Sequence, residues 1–78
     1  MVTAMRMKKE GVLKGVPDLF LAKPMGYCHG LFIEMKAGKN KLTEDQIIIL
    51  KKLFCLDYAY QVCYSFDEFK EAIEAYLK

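Results

Sequence analysis

Residues 17–36 read PDLFLAKPMGYCHGLFIEMK, and their spacing decides the fold. Leu19-Phe20-Leu21-Ala22 is a brief apolar run directly after Asp18, and His29 to Lys36 forms a second, longer one. Runs of this length suit strands rather than helices. Between them, Lys23-Pro24-Met25-Gly26-Tyr27 is a turn, because proline fixes φ and glycine relaxes it. Two strands joined this way make a hairpin. Side chains alternate across a strand, so Leu31, Ile33 and Met35 share one face while Phe32, Glu34 and Lys36 share the other. The hairpin can bring Asp18 near Glu34, with Lys36 beside Glu34.

Outward from the hairpin, Met5 to Lys14 reads as a short helix interrupted by Gly11. Gly15 closes it, where a left-handed cap residue is wanted. Ala37 to Lys41 is a polar loop. Thr43-Glu44-Asp45-Gln46 fits a capping box, with Leu42 and Ile47 as its hydrophobic staple. The helix that follows carries Ile47, Ile48, Ile49, Leu50, Leu53 and Phe54 and is expected to be largely buried. Tyr58 to Cys63 is a strand. Ser65-Phe66-Asp67-Glu68 is a second capping box, stapled by Tyr64 and Phe69. Phe66, Phe69, Ile73, Tyr76 and Leu77 give the closing helix one apolar stripe, read as core. The order is helix, strand, strand, helix, strand, helix. The last strand follows a helix, so it is expected to run parallel to the second by a right-handed crossover. This gives a small mixed sheet flanked by helices.

The whole chain of 78 residues is expected to form one domain, residues 1–78. Its composition is 54% apolar and 28% charged, which excludes a disordered chain. No apolar run approaches the ~20 residues of a membrane span, and the first seven residues lack the apolar core of a signal peptide. A cytoplasmic protein, of a bacterium or a phage-infected host, is expected. Cys28, Cys55 and Cys63 are odd in number and never CxxC-spaced, so reduced thiols are expected rather than disulfides or zinc. His29 is read as structural or solvent-facing. Charge is uneven. Residues 1–41 carry eight basic side chains against three acidic ones, and residues 42–78 carry four against seven. The positive half holds the Asp18–Glu34 hairpin and would attract a polyanion.

Cutting a phosphodiester needs an activated water, charge relief at phosphorus and help for the leaving oxygen. Mg²⁺ supplies most of this when one or two carboxylates hold it and it keeps several waters. Asp18 and Glu34 suit that task, and the backbone carbonyl of Met35 can add an oxygen. Lys36 is placed to orient the water or neutralise developing charge. Neighbouring carboxylates oppose its use as a base. Lys39 and Lys41 are the first candidates for phosphate contacts, with Lys14, Lys9 and Lys8 next.

Three ordered motifs carry a resemblance. Gly15-Val16-Pro17-Asp18-Leu19, Phe32-Ile33-Glu34-Met35-Lys36 and Leu42-Thr43-Glu44-Asp45-Gln46 together resemble the VRR-NUC group of the PD-(D/E)xK nuclease superfamily. The resemblance spans roughly residues 9 to 77 and implies an α/β fold with a minimal restriction-endonuclease-like core. It implies Asp18 and Glu34 as ligands of Mg²⁺ or Mn²⁺, Lys36 as the catalytic lysine, and branched DNA such as four-way (Holliday) junctions as substrate. Gln46 matches the family's helix glutamine, which positions water or DNA. As third helical residue of a capping box it would instead bond Thr43, and both uses are compatible with a helix N-terminus facing phosphate. Longer members carry an N-terminal helix whose glutamate joins the metal site. Here Glu10 is the sole acid ahead of Asp18, in a stretch resembling a different part of the family. The expectation is a minimal member or a truncated product, with a weaker metal site or one completed by a partner subunit. The leading function is a metal-dependent, structure-specific DNA endonuclease. The alternatives are a branched-DNA-binding module or a flap or nicking nuclease with weak cleavage. Tyr58, Tyr60, Tyr64 and Tyr76 are read as core or interface. Small size and aromatics such as Tyr58, Tyr60 and Phe54 point to a homodimer.

Overall fold

A computed structural model describes residues 5–7 and 14–78. Four strands, β1 (Met5–Met7), β2 (Leu19–Leu21), β3 (Leu31–Met35) and β4 (Ala59–Cys63), lie side by side in that order. Helix α1 (Glu44–Cys55) connects β3 to β4, and α2 (Phe66–Tyr76) follows β4. The hairpin forms as expected: β2 and β3 are antiparallel, with Leu19 opposite Ile33 and Leu21 opposite Leu31. β4 runs parallel to β3, with Phe32 opposite Tyr60 and Glu34 opposite Val62. The result is the small mixed sheet with helices.

The first element departs from expectation. Met5–Met7 is a strand, paired antiparallel with β2, and not the start of a helix. The rest of the expected helix, residues 8–13, lies outside the described residues, and Lys14 and Gly15 form a turn. Without β1, the free edge of β2 would present unpaired N–H and C=O groups. Satisfying them outweighs the modest helix preference of a short Met-rich segment.

Alternation sorts the sheet into two faces. Leu21, Leu31, Ile33 and Cys63 form the buried core, and Leu19, Met35, Ala59, Phe69, Ala72, Ile73 and Tyr76 pack around it. This face is therefore covered by α2. The opposite face carries Phe20, Phe32 and Tyr58, whose rings lie 4.4 to 6.0 Å apart, centroid to centroid. The Tyr76 hydroxyl ties α2 back to the hairpin by donating to the Lys23 carbonyl at 2.6 Å.

Both helices start as their capping residues dictate. Thr43 Oγ1 accepts from the Gln46 N–H at 3.2 Å, and Gln46 Oε1 accepts from the Thr43 N–H at 2.9 Å. Ser65 Oγ accepts from the Glu68 N–H at 3.1 Å, while Glu68 Oε1 takes the Tyr64 N–H rather than that of Ser65. The stripe of α2 that packs inward is Phe69, Ala72, Ile73 and Tyr76, whereas Phe66 and Leu77 are exposed.

The expectation that α1 is largely buried is corrected. Only Gln46 is buried; Ile47, Ile48 and Phe54 are exposed, Phe54 by 58%. One sheet covers one side of a helix, so the stripe through Ile47, Ile48, Lys51 and Phe54 faces outward. Cys55, near the end of this helix, is exposed as well, and all three cysteines are free.

The end of α1 stores a small strain. Leu56 caps the helix, Tyr58 N–H donates to the Leu53 carbonyl at 3.0 Å, and Asp57 N–H donates to that of Phe54 at 3.1 Å. These are the paired bonds of a Schellman motif, whose next residue past the cap is left-handed and usually glycine. Here it is Asp57, at φ +64°. Asp57→Gly should raise stability by about 0.5–1 kcal/mol, because it relieves the left-handed penalty and keeps the backbone bonds. Thermal unfolding should show a higher midpoint for the variant. An unchanged or lower one would mean that the Asp57 side chain makes up the difference.

Candidate active site

The site is assembled where three segments meet: the loop before β2, the end of β3 and the first turn of α1. Gly15 makes the meeting possible. Its φ is +85°, and a Cβ there would lie 2.5 Å from the Asp45 carbonyl oxygen. Only glycine lets the loop lie this close against α1. Pro17 is buried beyond it, and Asp18 follows at the entrance to β2.

Asp18 is held by the backbone of β3. Its Oδ2 accepts the Met35 N–H at 3.0 Å, so the carboxylate is bound to the residue between Glu34 and Lys36. The hairpin register, continued one step past Leu19–Ile33, sets Asp18 across from Glu34. Glu34 is 3% exposed, a carboxylate sunk into the sheet on the face away from the α2 core. Lys36 is half-buried, and its N–H donates to the Cys63 carbonyl at 2.9 Å, extending the parallel ladder one residue beyond β3. Strand alternation therefore reaches Lys36 and keeps it on the Glu34 side.

Gln46 is buried at the N-terminus of α1, adjoining Gly15. The capping bonds occupy its carbonyl oxygen, which leaves its amide nitrogen as the end that can face a ligand. Of the lysines, Lys14, Lys39 and Lys41 are exposed, at the turn before Asp18 and on the loop after Lys36. The Tyr64 hydroxyl steadies that loop by donating to the Asn40 carbonyl at 3.0 Å. Lys8 and Lys9 lie outside the described residues. His29 is exposed and leans on Tyr58, outside the site.

Tyr60, read from the sequence as core or interface, is buried at 7% exposed, and Tyr58 is half-buried among the rings around it; what sequence reasoning missed is that Tyr60 stands beside the two carboxylates. Burial first, then the Glu34 and Asp18 carboxylates, push its phenol from 10.0 up to about 12. The signal that could have found it is the parallel register, which puts Tyr60 beside Phe32 on the Glu34 face.

The chain resembles known proteins over most of its length. Residues 1–67 match the model of the VRR-NUC domain. The chain belongs to the VRR-NUC domain family. A solved structure described as a VRR_NUC domain protein superposes with a TM-score of 0.84 at 28% identity, over 94% of this chain. The chain spans 66% of that protein's length, just under two thirds. No curated protein matches the chain. Among the described residues, no helix is long and apolar enough to cross a membrane.

The donor set fits a hard divalent cation. Asp18 and Glu34 offer carboxylate oxygens, which are hard donors. Among the described residues, no group of three or more His, Cys, Asp or Glu converges. Two carboxylates, with water completing the sphere, is how proteins commonly hold Mg²⁺, and Mn²⁺ accepts the same ligands.

Gln46→Glu separates the two uses of Gln46. Glutamate can keep the capping bond to Thr43, but it brings a charge to a buried position near two other carboxylates, so the variant should unfold about 1–3 kcal/mol more easily while still folding. Glutamate also puts a third negative charge at the site and removes the amide donor. DNA cleavage should therefore fall about tenfold or more if the amide nitrogen positions substrate. Unchanged cleavage would leave Gln46 a capping residue alone.

Proposed function

We propose that this VRR-NUC chain is a divalent-metal-dependent, structure-specific DNA endonuclease that acts on four-way junctions. The observation that carries the reading is the bond from Met35 N–H to Asp18 Oδ2, which ties the first acid to the backbone beside the second acid and the lysine. We read residues 1–78 as one such domain.

In this reading Asp18 and Glu34, with the Met35 carbonyl, hold Mg²⁺ or Mn²⁺. The cation, when bound, relieves negative charge at the scissile phosphate and lowers the pKa of a water. Lys36 lies on the Glu34 face and places a positive charge against the non-bridging phosphate oxygens as charge builds there. Its ammonium acts by charge and position. Gln46 presents its amide nitrogen at the first turn of α1, where backbone N–H groups already favour an anion. Lys39, Lys41 and Lys14 hold the flanking phosphates, with Lys8 and Lys9 as further candidates. These contacts read charge rather than sequence.

The working unit in this proposal is a homodimer. A four-way junction has approximate two-fold symmetry, and two incisions need two sites. Exposed apolar side chains on and after α1, including Ile48, Phe54 and Leu56, are surface that a second copy could cover. Light scattering should give about twice the 9.0 kDa chain mass. A monomer making single nicks would favour a flap or nicking role.

Asp18→Asn and Glu34→Gln should each abolish junction cleavage in Mg²⁺ while the fold is kept, since each removes a ligand charge but little shape. Either variant cutting at the wild-type rate would refute the metal-site reading. If wild-type protein binds junctions tightly but turns over hardly at all in either metal, the chain is a branched-DNA-binding module instead.

The lysines should divide. Lys36→Ala should lose turnover and keep most of its DNA affinity. Lys39→Ala with Lys41→Ala should weaken binding and reduce the salt slope by about two, close to one unit per phosphate contact. The division fails if Lys36→Ala binds as poorly as the double variant and the double variant's slope is unchanged.

A further inference from the structure

Tyr60 has no task in the mechanism above, yet its position demands one. It stands in β4 opposite Phe32, with its side chain on the face that carries Glu34, the next residue but one along β3. It is 7% exposed, and its hydroxyl is buried with no hydrogen-bond partner among the described residues. A phenylalanine would fill the same space without stranding an O–H group. Buried hydroxyls are normally bonded, and one without a partner opposes folding. A chain whose core on the other face is Leu21, Leu31, Ile33 and Cys63 has no general need of a phenol here.

The surroundings name the partner. Both site carboxylates act on the phenol through space, Glu34 more strongly than Asp18. Asp18 already has its orienting donor, the Met35 N–H. A neutral phenol offers one strong donor, and a carboxylate accepts only.

We propose that Tyr60 is a positioning residue for the cation site, whose hydroxyl donates to the Glu34 carboxylate and fixes the orientation in which that carboxylate meets a divalent cation. The proposal rests on the reading of Asp18 and Glu34 as cation ligands. Carboxylates that bind metals are themselves oriented by hydrogen bonds, and such bonds often tighten only when the site is loaded. In this arrangement a donor from a neighbouring strand segment reaches each carboxylate. Met35 N–H serves Asp18, and the Tyr60 hydroxyl serves Glu34. Because Tyr60 stands on β4, the crossover through α1 contributes to the site as well as to the sheet.

The test measures Mn²⁺ binding to the full chain without DNA, by calorimetry or by the electron paramagnetic resonance of the free ion. Wild type, Tyr60→Phe and Asp18→Asn are compared, and thermal unfolding of each is recorded in EDTA. Tyr60→Phe should unfold at or above the wild-type temperature, because its ring still packs and the stranded hydroxyl is gone. Its Mn²⁺ affinity should fall by about tenfold, the usual scale for losing an orienting partner of a metal ligand. Asp18→Asn should lose binding. If Tyr60→Phe binds Mn²⁺ like wild type while Asp18→Asn does not, the role of Tyr60 is overturned and the metal site stands. If Asp18→Asn binds like wild type, both fall. If Tyr60→Phe unfolds well below wild type in EDTA, the hydroxyl belongs to the fold, and the positioning role is overturned.

Discussion

Ile33 and Glu34 are neighbours in β3, both are buried, and they face opposite sides of the sheet. That opposition organises the molecule. The Ile33 side collects Leu21, Leu31 and Cys63 under α2 and supplies the apolar burial that makes the chain fold. The Glu34 side carries Asp18 and Tyr60, whose polar groups, taken out of water, oppose folding unless they are bonded. A carboxylate out of water costs several kcal/mol after relaxation unless charge or hydrogen bonds compensate. Strand alternation keeps the two environments one residue apart without mixing them. A one-residue slip of β3 against β2 would send Glu34 into the core and Ile33 into the site, so the register is selected from both sides.

The register is in turn held at the site itself. The Met35 N–H bond to Asp18 lies just beyond the last β2–β3 backbone pair, so it both ends the hairpin and orients a functional group. Gly15 performs a similar double duty. Its left-handed turn and its lack of a Cβ seat the loop on the Asp45–Gln46 backbone, which fixes where Asp18 enters β2 relative to the N-terminus of α1. The elements that position the chemistry are thus backbone features, which change little when surface side chains change. The lysines are placed differently. Lys14, Lys39 and Lys41 stand on exposed turns, where length and charge matter more than exact direction, which suits the contacts proposed for them with a flexible polyanion.

Much of this was legible from local patterns. The hairpin follows from two short apolar runs around a Pro-Gly turn, and the alternation that pairs Glu34 with Lys36 follows from strand geometry alone. Thr43 and Ser65 start their helices because the side-chain bonds that cap them close within three residues. What was not legible depends on partners distant in the chain. Met5–Met7 has the composition of a helix and becomes a strand because β2 has an edge to fill. The Ile-rich face of α1 reads as core, yet the described chain provides one layer of cover, not two. Tyr60 reads as a generic aromatic, and only the parallel pairing of β4 with β3 brings it to the carboxylates. The site itself sits between these cases. The candidate residues Asp18, Glu34 and Lys36 stand out by type and spacing, while the Met35 N–H bond to Asp18 and the approach of Tyr60 appear only once the strands are paired.

Small size sharpens the conflict between stability and chemistry. Among the described residues the fully sequestered apolar side chains are few, and Gln46, Glu34 and Tyr60 take interior volume that would otherwise be apolar. A larger domain could absorb that cost across a deeper core, because the buried fraction rises with chain length. Here the compensation is local. Helix caps at Thr43 and Ser65, the Schellman closure of α1 and the Tyr76 bond to Lys23 each fasten an end that would otherwise fray. Binding adds to this. A cation that binds the folded carboxylate pair and not the unfolded chain stabilises the fold in proportion to its occupancy. On the proposed reading of Asp18 and Glu34 as cation ligands, the groups that most oppose folding in the empty chain are the ones whose ligand favours it, so stability and catalytic readiness would rise together when the site is loaded.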